Sequence, residues 1–187
     1  MNGDLEIGAS LTIAEHILPK LLGLYKQQFP QVNVHLKVFN SEIIVKKLLN
    51  EEINLGFIES MVSYSNLNQS IFMNDELVLI SSLLFWHRYI GSKDQILPKE
   101  LFSLPIILRE RGSGTRQVIE EKLIQNQLNP ENLNVILELE STESIKSAVE
   151  SGLGVSIVSK SAISKELKLN TLKYLTISGI RLDRYFF

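Results

Sequence analysis

Two stretches of this chain carry the same alternation of short apolar strands and amphipathic helices, and lone strands separate them. This constrains the fold more than any other feature, because β-α-β units with crossover helices build parallel sheets. In the first stretch, Leu5 to Ala9 reads as a buried strand. Ala14, Ile17, Leu18, Leu21, Leu22, Tyr25 and Phe29 then recur at helical spacing, and Pro30 closes the run. Pro19 is awkward inside a helix, so an irregular or kinked first turn is expected there. Val32, Val34, Leu36 and Val38 alternate with polar residues, which is a strand signature. Ser41 stands where an N-cap should, ahead of a helix with Ile44, Val45, Leu48 and Leu49 inward. Ile53 to Ile58 is a further short strand.

Glu76 to Ser82 is a strand with no helix before it, and Trp86 to Leu97 is poorly periodic. The alternation then restarts. Pro105 to Arg109 reads as a strand, Thr115 to Gln127 as a helix, and Val135, Leu137 and Leu139 as a strand. A helix from Thr142 to Ser151 ends at Gly152, followed by a strand, Val155 to Val158, and a helix, Ser161 to Leu167. Two such runs joined by lone strands predict an α/β fold of two Rossmann-like lobes with an interlobe cleft. The expected division puts residues 1–79 and 177–187 in lobe I and residues 80–176 in lobe II. The crossings would be Leu77 to Ser82 and Leu172 to Ile177, and a last strand, Leu182 to Phe187, would return to lobe I.

The balance of residues narrows the function. Hydrophobic residues make up 44% of 187, enough for a sizeable core. The net charge is −2 and there is no long basic run, so the chain by itself is a poor candidate for touching DNA. It has no cysteine, which removes disulfides and thiolate chemistry and fits a reducing cytoplasm. His16, His35 and His87 are scattered and belong to no metal-ligand spacing, so neither a metal nor a cofactor is expected. Met1 to Asp4 lacks the features of a leader peptide, and no apolar run nears the roughly 20 residues of a membrane span. A soluble, cytoplasmic protein with no membrane contact is expected. The apolar end at Tyr185-Phe186-Phe187, without turn or cap, reads as a cut chain.

The most informative stretch is Arg109-Glu110-Arg111-Gly112-Ser113-Gly114-Thr115-Arg116, which follows a strand and opens a helix. Glycines permit tight turns and close approach to a ligand, while a helix start favours an anion. The stretch lacks the terminal Gly-Lys-Ser/Thr of a Walker loop and the glycine spacing of a dinucleotide fingerprint. A plain glycine turn, with Thr115 as N-cap, explains it equally well. Ser10-Leu11-Thr12, Ser41 and Ser141-Thr142 place small hydroxyls at three more strand-to-helix junctions. Singly, each is a helix cap; together they stand where open α/β sheets bind ligands. Glu59, after Ile58, is expected to face the same cleft, where it could pair with Arg109, Arg111 or Arg116 or meet a cationic part of a ligand; the plain alternative is a solvated loop carboxylate. The candidate ligand set is therefore Ser10, Leu11, Thr12, Ser41, Glu59, Gly112, Ser113, Gly114, Thr115 and Thr142. Thr115→Val is expected to delete a ligand contact at little cost to the fold. No histidine or lysine stands by sequence to activate Ser113, so no catalytic residue is assigned and no enzyme is expected.

These residues resemble a known family. Gly3-Asp4-Leu5-Glu6-Ile7-Gly8-Ala9-Ser10, Leu18-Pro19 and Phe29-Pro30 resemble the opening of a LysR-type effector-binding domain. Leu55 to Glu59, Leu108 to Arg116, and Ser151-Gly152-Leu153-Gly154-Val155-Ser156 resemble its later landmarks in order. Its Arg-Glu-x-Gly-Ser-Gly-Thr-Arg segment is similar to the branch with regulators of sulfur, nitrogen and carbon-fixation genes. The resemblance implies a type II periplasmic-binding-protein-like fold with a small polar or anionic effector in the cleft. It also implies a homodimer pairing the helix from about Thr12 to Gln28 with the partner's helix from Thr115 to Gln127, and a tetramer for the longer protein. DNA would be bound only through an N-terminal winged helix-turn-helix that this chain lacks, and part of lobe I's last helix would be missing too. Glu59 stands where members that take aromatic or dicarboxylic acids often place a basic residue, which speaks against a simple dianionic effector. The rival reading is an extracytoplasmic solute-binding protein of the same fold.

Overall fold

The structure is a computed structural model that describes residues 3–60, 64–91 and 93–187. The chain forms two compact units. One comprises Met1–Asn74, Gly112–Gly114 and Tyr185–Phe187; the other comprises Asp75–Arg111 and Thr115–Arg184.

The first unit runs β1 (Gly3–Ala9), α1 (Leu11–His16), α2 (Leu18–Gln28), β2 (Val32–Val38), α3 (Ser41–Leu49) and β3 (Leu55–Phe57). Its strands form a parallel sheet in the order β2-β1-β3, as right-handed crossover units require. The helical stretch after β1 is two helices, broken at Ile17, with Pro19 in the first turn of α2. A proline is tolerated there because that N–H has no intrahelical partner to lose. Ser41 is not the cap of α3. Asn40 is, and its side chain accepts a bond from the Ile43 N–H at 2.9 Å. Ser41 is thereby the first helical residue, and its hydroxyl is available for another task. The strand expected over 53–58 shortens to three residues, while Ile53 and Ile58 still pack beneath α3 with Ile44 and Val45. Phe186 closes the cluster of Ile7, Ala9, Ile13, Ala14 and Leu18, and Phe187 exchanges backbone bonds with Ile58.

The second unit begins within β4 (Met73–Ser82). There follow α4 (Leu83–Phe85), β5 (Gln95–Ile96), α5 (Pro98–Leu101), β6 (Ile106–Arg109), α6 (Gly114–Gln125), β7 (Val135–Leu139), α7 (Thr142–Glu150), β8 (Val155–Ser159), α8 (Ser164–Leu169), β9 (Leu172–Ile177) and β10 (Asp183–Phe186). Among the described residues the sheet has seven strands, ordered β5-β9-β4-β8-β6-β7, with β10 also paired to β4. β4 is antiparallel to β8 and β9, and β6 is parallel to both its neighbours. Strand alternation sends Leu77 and Leu79 into one apolar cluster and Val78 and Ile80 into another, so β4 is covered on both faces. The aperiodic stretch after β4 holds a π-helical turn, Trp86–Ile90. The helix expected from Ser161 begins as a tight 3-10 turn, Lys160–Ile163.

Close approach of β6 to β8 depends on a missing side chain. A Cβ on Gly154 would collide with the backbone carbonyl of Pro105, the group to which the Val155 N–H donates. Backbone cannot yield as a side chain can. Gly154→Ala is expected to lower stability by about 1–3 kcal/mol. Gly23 lies within α2 with open space around its Cβ position, so Gly23→Ala is expected to raise stability by about 0.5–1 kcal/mol. Urea denaturation midpoints of the two variants, moving in opposite directions, check this packing.

Candidate functional site

In the first unit, hydroxyls gather around one buried carboxylate. β1 ends at Ala9, and Ser10 occupies the N-cap position of α1 without making a side-chain capping bond. Its Oγ instead donates to Glu59 Oε1 at 2.8 Å. Glu59 follows β3 and is 1% exposed. The Glu59 N–H reaches Ser41 Oγ at 3.5 Å, a long contact. Thr12 is buried in the first turn of α1, while Leu11 beside it is only half-buried. A charged carboxylate out of water must be hydrogen-bonded, and a neighbouring hydroxyl meets part of that need.

The segment Gly112–Gly114 belongs to this unit. Gly112 has φ +88, the left-handed region that favours glycine, and a Cβ there would stand 3.1 Å from Glu42 Oε2. A Cβ on Gly114 would lie 2.6 Å from Ser41 Oγ and 2.8 Å from Glu59 Cβ. Gly112 is thus favoured by its backbone conformation and Gly114 by close approach. Between them sits Ser113, 1% exposed, whose Oγ has no hydrogen-bond partner among the described residues. Leaving such a hydroxyl unpaired costs about 1–3 kcal/mol.

Thr115 belongs to the second unit and lies in the first turn of α6 rather than capping it. Its Oγ1 accepts from Arg184 Nη1 at 2.9 Å. Thr115→Val therefore leaves a buried cation short of an acceptor, and its cost to stability, about 1–3 kcal/mol, exceeds what the sequence suggests. Arg184 also donates from Nε to Asp75 Oδ2 at 2.7 Å, and Asp75 Oδ1 accepts from Ser159 Oγ at 2.8 Å. Thr142 is buried in the first turn of α7, and Ser141 caps that helix by accepting from the Ser144 N–H at 3.3 Å. Two of the arginines offered as partners for Glu59, Arg109 and Arg116, have acids of their own unit. Arg109 donates from two nitrogens to Glu110, and Arg116 pairs with Glu120 and Glu138. Burial works against the Arg116 cation, but the bonds to Glu120 and Glu138 outweigh it and hold its pKa above the ordinary value.

Among the ten candidates, Ser10, Ser41, Glu59 and Gly112–Gly114 come together in the first unit. Sequence reasoning missed Arg184 and Asp75. The signal for Arg184 was present, since strand alternation puts it on the same side as Leu182 and Phe186, both buried. An arginine on an inward face needs a partner. Asn40 was missed because Ser41 is an equally good capping residue by type.

The family description "LysR substrate binding domain" matches residues 1–187. A protein of Thalassiosira pseudonana named "Probable RuBisCO transcriptional regulator" is 38% identical over 186 residues, 97% of this chain and 60% of the relative. One of Cyanidium caldarium with the same name is 39% identical over 187 residues, 97% of this chain and 57% of its own length. The chain thus spans about 60% of the length of the curated relatives it matches. Among solved structures, the Synechocystis PCC6803 CcmR regulatory domain in complex with 2-PG superposes with a TM-score of 0.86 at 29% identity, over 99% of this chain and 86% of that one. The effector-binding domain of QuiR in complex with shikimate gives 0.84 at 18% identity over 100% and 86%, a likeness of fold. The fold is of the type II periplasmic-binding-protein kind, and with the family match spanning its whole length the chain belongs to the LysR substrate-binding domain family.

Proposed function

We propose that this chain is the sensing part of a cytoplasmic LysR-type transcriptional regulator, that its two units serve as the two lobes of that part, and that it binds a small polar molecule with an anionic group. The observation that carries the reading is Ser113, a buried hydroxyl without a partner, on a glycine segment packed against Ser41 and Glu59. A ligand oxygen at Ser113 would satisfy it, and the start of α6 just beyond favours negative charge. Glu59 repels a second anionic group, so it selects a ligand that brings a hydroxyl, an amine or a protonated acid to its side. Several charge-assisted hydrogen bonds suffice for micromolar affinity after the costs of binding. Nothing in this set forms a nucleophile with its base: no histidine or lysine bonds Ser113 Oγ among the described residues, so recognition without turnover is the reading.

DNA would be engaged through a part of the regulator outside these residues, consistent with a net charge of −2. The reading as an extracytoplasmic solute-binding protein shares the fold, but a regulator-family match along residues 1–187 and relatives named as regulators favour sensing. No helix among the described residues is long and apolar enough to cross a membrane.

Calorimetry with 2-PG, inorganic phosphate and shikimate tests the site. A probe with one anionic group and hydroxyls to meet Glu59, as shikimate has, is expected to bind. Ser113→Ala is expected to weaken it about ten-fold or more while leaving the denaturation midpoint unchanged or slightly raised, since it deletes an unsatisfied hydroxyl. Unchanged affinity in that variant would remove Ser113 from the site. We further propose a homodimer, tetrameric in the longer protein, through α2 and α6, which expose Leu21, Leu24 and Ile124. Sedimentation at tens of micromolar is expected to show a dimer, and Leu24→Glu to shift it towards monomer.

A further inference from the structure

β3 is an edge strand. The first unit's sheet runs β2-β1-β3, so one side of β3 meets β1 and the other does not. Along an extended strand, the N–H and C=O of successive residues point to alternate edges. Phe57 faces β1, because its carbonyl accepts from the Ser10 N–H at 2.9 Å. Gly56 and Ile58 therefore turn their N–H and C=O groups the other way. Ile58 is met there. It exchanges two backbone bonds with Phe187, each 3.0 Å, which is the pattern of an antiparallel hydrogen-bonded pair. Gly56 is half-buried, and among the described residues no strand meets it on that side. A peptide group in that setting needs partners. A cavity of about 320 Å³ lies along this edge, lined by Gly56 together with Val45, Leu48, Phe72 and Phe187, all of the first unit.

An occupant of the edge must accept from one peptide N–H and donate to one C=O, at the spacing of a strand. A small anion cannot do both. A polypeptide does so at every second residue, which is why open edges recruit strands. The Ile58–Phe187 pair also sets direction and register. A strand antiparallel to β3 and in line with Phe187 reaches its next hydrogen-bonded pair at Gly56. Residues opposite each other in a ladder share a face of the sheet. A Cβ on Gly56 would point at Ile44 and Leu48, so the residue opposite Gly56 would lie over α3 among apolar side chains. We infer that β3 takes one further antiparallel strand, hydrogen-bonded to Gly56 and apolar where it faces α3, and that polypeptide of the longer regulator outside residues 1–187 supplies it. The relatives are long enough to provide one: this chain covers 60% of the Thalassiosira pseudonana protein and 86% of the CcmR regulatory domain. The second figure concerns a regulatory domain by itself, which favours a strand from the sensing part over one from a DNA-binding part. The strand is needed whatever molecule the effector site binds.

Amide hydrogen exchange resolves this edge residue by residue. Leu55 and Phe57 pair with β1, and Ile58 pairs with Phe187, so Gly56 is the amide whose protection is in question. In the full-length regulator Gly56 is expected to exchange as slowly as Phe57. In the chain of residues 1–187 it is expected to exchange about 100-fold faster or more, while Phe57 stays slow. A fast Gly56 in the full-length protein, or a slow one in residues 1–187, overturns the inference. Slowing that disappears when the full-length protein is diluted assigns the strand to a second copy and overturns its source. Should residues 1–187 not hold their fold, Phe57 exchanges fast there too, and Gly56 against Phe57 within the full-length protein decides alone.

Discussion

β4 must be hidden on both faces, and most of the second unit follows from that. Leu77 and Leu79 face one way, Val78 and Ile80 the other, and all four are buried. A strand that is apolar on both sides cannot lie at a surface, so sheet must continue on either edge and helices must cover either face. α6 supplies Val118, Ile119 and Leu123 on one side; α7 supplies Ile145 and Val149 on the other. The hydrophobic term is non-directional and does not choose a topology, but the right-handed β-α-β connection does. Together they bring the starts of α6 and α7 to the carboxyl ends of β6 and β7.

The groups gathered at the strand-to-helix junctions of the first unit are hydroxyls, backbone amides and a buried carboxylate. Glu59 is met by Ser10, and Ser113 stands between two glycines that let backbone lie against Ser41 and Glu59. A side chain on Gly114 would displace Ser41 and Glu59.

Much of this could be read from residue order. The two β-α-β runs, the irregularity near Pro19 and the inward faces of β2 and α3 follow from periodicity and proline chemistry, which are local. The hydroxyl-bearing junctions are local as well. What could not be read required knowing which distant residues meet. Ser10 and Ser41 look like helix caps by type, and only the fold shows that Ser10 bonds Glu59 while Asn40 takes the cap of α3. The arginines near Ser113 suggested partners for Glu59, yet Arg109 and Arg116 are held by Glu110, Glu120 and Glu138. The aperiodic stretch after β4 gave no signal, because a π turn matches neither the helical nor the strand period.

Asp75 and Arg184 lie 109 positions apart, at opposite ends of the second unit, and neither can be exchanged alone without stranding a charge in the interior. Natural variation among relatives should therefore treat them as one character. Lineages that keep one keep the other, and lineages that lose the pair replace both with side chains of matching volume and no charge. The residue opposite, Thr115, is released from its hydroxyl only where that joint replacement has happened.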